Sequence, residues 1–72
     1  MNEIRELYFV VQDEEDDEAI ACYPLDKTPF IAFDKEGSEV IMQHARQCNE
    51  VWHKNLRLAR FIRDETVTEV IQ

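Results

Sequence analysis

The sequence contains one glycine and two prolines among its 72 residues, and this scarcity leaves no place for several catalytic motifs. A Gly-rich phosphate loop and the G-x-S-x-G turn of hydrolases both need glycines at fixed positions, and neither pattern occurs. Ser38 lies where a helix cap belongs rather than in a nucleophile motif. The sequence therefore predicts a protein that is not an enzyme and that uses no cofactor.

Long apolar stretches and cysteine clusters are also missing. No run approaches the roughly 18 apolar residues of a membrane-spanning helix, and the first residues resemble neither a signal peptide nor a lipidation motif. Two cysteines, Cys22 and Cys48, are too few for a disulfide framework. We expect a cytoplasmic protein with reduced thiols and no membrane partner.

Negative charge is what the chain has in excess. Sixteen acidic residues against eight basic ones give a net charge of −8 at pH 7. Residues 1–39 hold twelve acids against three bases, a balance of −9, whereas residues 40–72 hold four acids against five bases, a balance of +1. An excess of negative charge of this size repels nucleic acid and anionic lipid, and it attracts basic proteins or cations.

Six of the acids are consecutive and separate two short apolar runs, at 7–11 and 19–23, which predicts a β-hairpin with an acidic tip. One interpretation is a solvated loop that aids solubility and blocks edge pairing. A calcium loop is a second interpretation, although the EF-hand spacing and its central glycine are missing. A third is a contact surface for a basic protein.

The function we predict follows from the third interpretation. It is a small, non-enzymatic protein-binding module, and its most natural partners are proteins whose basic grooves hold nucleic acid. The module would then act as an inhibitor or nucleic-acid mimic that occupies such a groove. The predicted partner-binding residues are Asp13, Glu14, Glu15, Asp16, Asp17 and Glu18, with Asp26, Asp34 and Glu36 as extensions.

The fold prediction is α+β, with a small antiparallel sheet of three to four strands and one main helix packed on one face. A single domain over 1–72 is expected from the length. The residues at 56–62 alternate and favour a strand, but they also fit an extension of the helix. The predicted elements are strands at 6–12 and 19–23, an edge segment at 29–33, a helix at 36–54, a strand at 56–62 and a short element at 67–71.

The helix prediction rests on four residues spaced by four, three and four: Ile41, Ala45, Cys48 and Trp52. Asp34 and Ser38 are both plausible N-caps, and Asn55 is a plausible C-cap. The sheet residues predicted to pack on this helix are Leu7, Phe9, Val11, Ile20, Phe33, Leu56 and Leu58. If the protein is instead a homo-oligomeric assembly subunit, the apolar residues predicted to be exposed are Tyr8, Val10, Phe30 and Phe61.

Three weaker alternatives remain open from the sequence. His44 and Cys48 are one helical turn apart and would reach one metal ion, with Cys22 or His53 completing the site, but packing explains Cys48 better. A homodimer formed through an edge strand or the back of the sheet would stabilise so small a core. Direct nucleic-acid binding, which the net charge opposes, would use Arg46, Lys54, Arg57, Arg60 and Arg63, with Tyr8 and Phe61 stacking on bases.

Overall fold

The computed structural model describes residues 3–67, which adopt the predicted α+β architecture. In chain order the elements are β1 (Glu6–Asp13), β2 (Glu18–Ile20), β3 (Ile31–Ala32), α1 (Lys35–Trp52), β4 (Leu56–Ile62) and a 3-10 turn at Glu65–Val67. The strands form one antiparallel sheet, and α1 packs on one of its faces. The final element predicted at 67–71 lies outside the described residues except for its first residue.

Strand β1 is the centre of the sheet, because each of the other three strands pairs with it. Strand β4 pairs antiparallel along the whole of one side, which confirms the strand predicted at 56–62. Strands β2 and β3 lie end to end along the other side. Between them, residues 22–29 leave the sheet as a loop that a bridge between Cys22 and Pro29 closes at its base.

Helix α1 begins after Asp34, one of the two N-caps that the sequence offers. The Asp34 Oδ1 atom accepts a hydrogen bond from the Gly37 N–H at 2.7 Å, which satisfies a donor that the first helical turn leaves unpaired. A Cβ added at Gly37 would lie 3.1 Å from the Cβ of Ala32, so this glycine lets α1 approach β3 closely. Ser38 is buried, and its hydroxyl donates to the Lys35 carbonyl instead of capping the helix.

The C-terminal cap of α1 is His53, so the prediction of Asn55 as the cap is wrong. His53 adopts a left-handed conformation with φ of 54°, and its N–H donates to the Asn49 carbonyl at 3.0 Å. The Asn49 side chain then bonds both backbone groups of Lys54, at 2.8 and 2.9 Å. The helix therefore ends two residues earlier than predicted, because Asn49 reaches past its end and fixes the turn into β4.

The core lies between α1 and the face of β1 that carries Tyr8 and Val10. Both residues are buried, as is Phe30, so the prediction that these three are exposed is wrong. Leu7 and Phe9, predicted to pack on the helix, lie on the opposite face, since successive strand residues point to opposite sides. The predicted assignment of the two faces of β1 is thus displaced by one residue. The buried core cluster comprises Tyr8, Val10, Ala21, Phe30, Ala32, Ile41 and Ala45.

On the helix side the predicted core stripe is confirmed, and the burial of its residues decreases toward the end of α1. Ile41 and Ala45 are buried, whereas Cys48 and Trp52 are partly buried and pack against the edge of the cluster. The Trp52 ring contacts Phe30 edge to face, with ring centroids 6.4 Å apart. Trp52 therefore closes the end of the core rather than filling its centre.

On the sheet side most of the predicted helix contacts are absent. Leu56 does pack against the core cluster, and Val11 is buried, but on the face that α1 does not cover. The remaining residues are well exposed because they lie on that uncovered face or beyond the edge of the helix. The exposed residues are Ile20, Phe33, Leu58 and, as predicted, Phe61.

Candidate protein-binding surface

The six consecutive acids form the tip of the β1–β2 hairpin. Asp13 and Glu18 are opposite each other and form the last pair of the ladder. The four residues between them reverse the chain, with the Glu14 N–H donating to the Asp17 carbonyl at 2.8 Å. The Asp17 carboxylate also accepts from the Glu18 N–H at 2.9 Å. We call residues 13–18 the acidic tip, and hydrogen bonds give its backbone a defined conformation.

One arginine from β4 lies at the base of the acidic tip. The Arg57 Nη2 atom is 2.6 Å from the Asp13 Oδ1 atom and 2.6 Å from the Glu18 Oε2 atom. The three side chains are substantially exposed, so each ion pair contributes about 0–1 kcal/mol to stability. A single guanidinium opposes six carboxylates here, and the acidic tip keeps a strongly negative potential.

The outermost carboxylates of the acidic tip are those of Glu15 and Asp16. Within residues 3–67 neither of them has a hydrogen bond or an ion pair. Glu14 differs, because its carboxylate accepts from the Gln12 Nε2 atom at 2.7 Å. Glu15 and Asp16 can therefore meet a basic group of a partner without breaking any contact within the chain.

The three acids predicted as extensions of this surface do not lie at the acidic tip. Asp26 is in the 22–29 loop, where the hydroxyl and then the N–H of Thr28 donate to its carboxylate and lower its pKa. Asp34 caps α1, and Glu36 lies in the first turn of that helix. Since β3 pairs with the middle of β1 and leads directly into α1, the helix start lies toward the end of the sheet away from the acidic tip.

The sheet face opposite α1 is uncovered by any other part of the described chain. Strand alternation and the β1–β4 register place Leu7 and Phe61 there as neighbours. Phe9 and Phe61 touch edge to face, with ring centroids 5.5 Å apart. Phe61 is 53% exposed, as expected for a face that no second layer covers. We call this strip the open face; its well-exposed apolar members are Ile20 and Phe61, its partly exposed ones are Leu7, Phe9, Ile31 and Ala59, and Val11 on the same face is buried.

The acidic tip and the open face form one continuous surface. Asp13 follows Val11 by two residues and Glu18 precedes Ile20 by two, so each acid points to the same side as its apolar neighbour. Arg57, which bridges the two acids, is opposite Val11 and shares that side. An apolar strip therefore runs along the sheet and ends at a cluster of carboxylates.

The basic residues near the C-terminus are largely paired with acids of the same chain. The Arg60 Nη2 atom is 2.6 Å from the Glu6 Oε2 atom, and this hydrogen-bonded ion pair raises the pKa of Arg60. The Arg63 Nε atom is 3.5 Å from the Glu65 carboxylate. Such pairs reduce the positive charge that these arginines offer to a phosphate backbone.

The residues considered as metal ligands make other contacts. The His44 Nδ1 atom is 2.9 Å from the Tyr23 hydroxyl oxygen, and Cys48 packs against the core. Burial, followed by the charges of Cys48 and Asp26, raises the pKa of Tyr23. In the part of the chain from 3 to 67, no three His, Cys, Asp or Glu side chains are grouped as ligands of one metal ion.

Comparison with known proteins gives no family assignment, because no family model, curated protein or solved structure matches the chain. None of the helices in residues 3–67 has the length and apolar character needed to cross a membrane. The site is therefore defined by its own geometry.

The open face is a part of this surface that the sequence analysis considered only as a dimer interface and did not connect with the acidic tip. Its signal is the unbroken apolar run at 7–11, which contains no polar residue to mark a solvated side. A run of this kind is typical of a strand that is covered on both faces. Among residues 3–67 only one face of the strand is covered, so the same run also accounts for an apolar face that no other described element packs on.

Proposed function

We propose that the protein is a non-enzymatic binding module that presents the acidic tip and the adjoining open face to a basic protein. The observation that carries this proposal is the continuity of the two surfaces at Ile20 and Glu18, because Ile20 is 48% exposed and Glu18 points to the same side of the sheet. An exposed apolar patch rimmed by charged residues is typical of protein-interaction sites. The acidic tip alone would also fit a solubilising loop, whereas the combination favours recognition.

The two surfaces would make different contributions to binding. Covering the open face removes Phe9 and Phe61 from water, which supplies affinity at about 25 cal/mol per Å² of apolar area. The carboxylates of the acidic tip select basic partners and raise the association rate. Their effect fades with salt, because charges are screened over about 8 Å at physiological ionic strength.

The most natural basic partners are proteins whose own grooves hold nucleic acid, so we propose an inhibitor or nucleic-acid mimic as the finer function. Carboxylates two residues apart on a strand are about 6.6 Å apart and can meet separate Lys or Arg groups. The single hydrogen-bonded turn between Asp13 and Glu18 holds the six acids in one small volume. Basic grooves that bind phosphates offer groups of matching charge.

The test compares two double variants of equal net charge. Glu15→Gln with Asp16→Asn removes the two unpaired carboxylates of the acidic tip, and Glu39→Gln with Glu50→Gln removes two exposed carboxylates from α1. Immobilised native protein and both variants are incubated with a nuclease-treated cell lysate at low and high salt. We expect basic proteins to be retained by the native chain and the helix variant at low salt, and to be lost by the tip variant.

A competitor separates the finer proposal from the general one. Excess duplex DNA should release the retained proteins if the module occupies a nucleic-acid groove, whereas a partner bound elsewhere on its surface stays attached. The proposal as a whole fails if the tip variant and the helix variant retain the same proteins with the same salt dependence. The acidic tip would then be a solubilising loop.

A further inference from the structure

Strand β4 forms an entire edge of the sheet. It pairs with β1 on one side, and among residues 3–67 nothing pairs with its other side. The strand has seven residues and contains no proline. Such an edge presents a row of unpaired backbone groups that another strand can bind.

The hydrogen bonds at both ends of β4 identify the groups that point outward. The Asp13 N–H donates to the Asn55 carbonyl at 3.0 Å, and the Arg63 N–H donates to the Arg5 carbonyl at 2.9 Å. The backbone groups of residues 55 and 63 therefore point toward β1. Hydrogen-bonded positions alternate in an antiparallel ladder, so 57, 59 and 61 also bond inward. The residues whose N–H and C=O groups point outward are Leu56, Leu58, Arg60 and Ile62.

We propose that β4 pairs antiparallel with β4 of a second copy of this chain, with the two-fold axis at Ala59. In this register Leu58 is opposite Arg60 of the second copy, and Leu56 is opposite Ile62. All outward backbone groups of both strands then find partners. Centring the pair on Arg60 would instead place two arginines opposite each other, which is destabilising. Centring it on Leu58 would leave the end of each strand unpaired.

The side chains at the seam fit the same register. Ala59 is opposite Ala59 of the second copy in a non-hydrogen-bonded pair. The Cα atoms of such a pair approach to about 4.5 Å, so small side chains fit best. Arg57 is opposite Phe61 of the second copy, in reach of a cation–π contact. The contact occurs twice because of the two-fold symmetry.

The self-complementary register of β4 favours a second copy as the occupant, and it keeps the strongest negative charges of the two copies apart despite the net charge of −8. The antiparallel arrangement puts the two acidic tips at opposite ends of the seam. In this register Asn55, which is opposite Asp13, is also opposite Arg63 of the second copy, and that arginine is opposite its own Arg5. The four side chains lie side by side across neighbouring strands, on the side of the open face. Strands are about 4.8 Å apart, so Arg63 of the second copy is two strands from Asp13 and Arg5 is three strands away. Both arginines also contact Glu65 of their own chain, so this row adds little net attraction.

A matched pair of substitutions tests the register. Phe61→Arg places an arginine opposite Arg57 of the second copy, and Phe61→Glu places a carboxylate there. Both variants lose the contact with Phe9 equally. Sedimentation equilibrium from low micromolar to several hundred micromolar should show reversible dimers of the native protein. The dimer dissociation constant should differ between the two variants by about tenfold or more, with Phe61→Glu the tighter.

Disulfide trapping gives a second, independent measurement. In a background with Cys22 and Cys48 changed to alanine, Ala59→Cys should form a covalent dimer with oxidised glutathione, since the two sulfur atoms meet at the axis. Phe61→Cys should not form a covalent dimer. Residue 61 of one copy is opposite residue 57 of the other, so the two introduced cysteines are four residues apart along the seam. A native protein that stays monomeric at every concentration overturns the proposal. If both Phe61 variants weaken the dimer equally, the proposal is also overturned, and the result points to association through the open face.

Discussion

The residues of the acidic tip look alike in the sequence, but they make different contacts in the structure. Asp13 and Glu18 bind Arg57, which is 44 and 39 residues away in the chain, whereas Glu15 and Asp16 have no partner within the described residues. The sequence predicted the acidic tip from its charge density. It could not predict which carboxylates are unpaired, because the β1–β4 register decides where Arg57 lies.

Two phenylalanines three residues apart provide a test of the core at the residue scale. Phe30 is fully buried and packs against Tyr23 at a centroid distance of 4.0 Å, whereas Phe33 is 58% exposed. We expect Phe30→Ala to lower the free energy of unfolding by about 3–5 kcal/mol. Phe33→Ala should cost about 0.5 kcal/mol or less, as surface substitutions usually do. Urea denaturation followed by Trp52 fluorescence measures both.

A domain this small has little stability to lose, so Phe30→Leu serves as a milder variant if the alanine form is unfolded. Equal losses for the changes at 30 and 33 would contradict the core described above. They would mean that Phe33, which the sequence prediction placed against α1, is as important to the core as Phe30.

At the scale of elements, the predictions succeed where the pattern has a clear period. The spacing of Ile41, Ala45, Cys48 and Trp52 matches 3.6 residues per turn, and the helix was predicted to within two residues at either end. The run at 7–11 has no alternation, so strand formation could be predicted but not the faces of the strand. Strand β3 has two residues, and its pairing depends on β1 rather than on its own sequence.

The N-cap of α1 gives a prediction at this scale. Asp34→Ala should lower the free energy of unfolding by about 1 kcal/mol, because the Gly37 N–H loses its acceptor. Asp34→Ser should restore most of the loss, since serine is an equally good cap. Glu36→Gln is the control and should change stability by a few tenths of a kcal/mol. Urea denaturation is again the measurement, and a serine variant as unstable as the alanine variant would contradict the capping role.

At the scale of the whole molecule, the sheet brings together two chain halves of different charge. The acidic β1–β2 hairpin pairs with β4, whose arginines come from the half with a balance of +1. Composition predicts this asymmetry but not its arrangement, because pairing puts Arg57 and Arg60 beside Asp13 and Glu6 and leaves the outer acidic tip unbalanced. The 44% hydrophobic content likewise cannot reveal that no element within residues 3–67 covers the second face of the sheet.

The unbalanced acidic tip should lower stability slightly, and this gives the last prediction. Glu15→Gln with Asp16→Asn changes the net charge from −8 to −6 and removes repulsion among adjacent carboxylates. We expect the free energy of unfolding to rise by up to about 1 kcal/mol at low ionic strength. The gain should vanish near 1 M salt, where the screening length is about 3 Å.

Glu39→Gln with Glu50→Gln makes the same change in net charge outside the acidic tip and should gain less. Thermal and urea denaturation at both ionic strengths decide between the two outcomes. A loss of stability in the tip variant would mean that these carboxylates hold the hairpin together. A gain would mean that the chain keeps these carboxylates at a cost to its own stability, so that their role is not in folding but in solubility or in the binding proposed above.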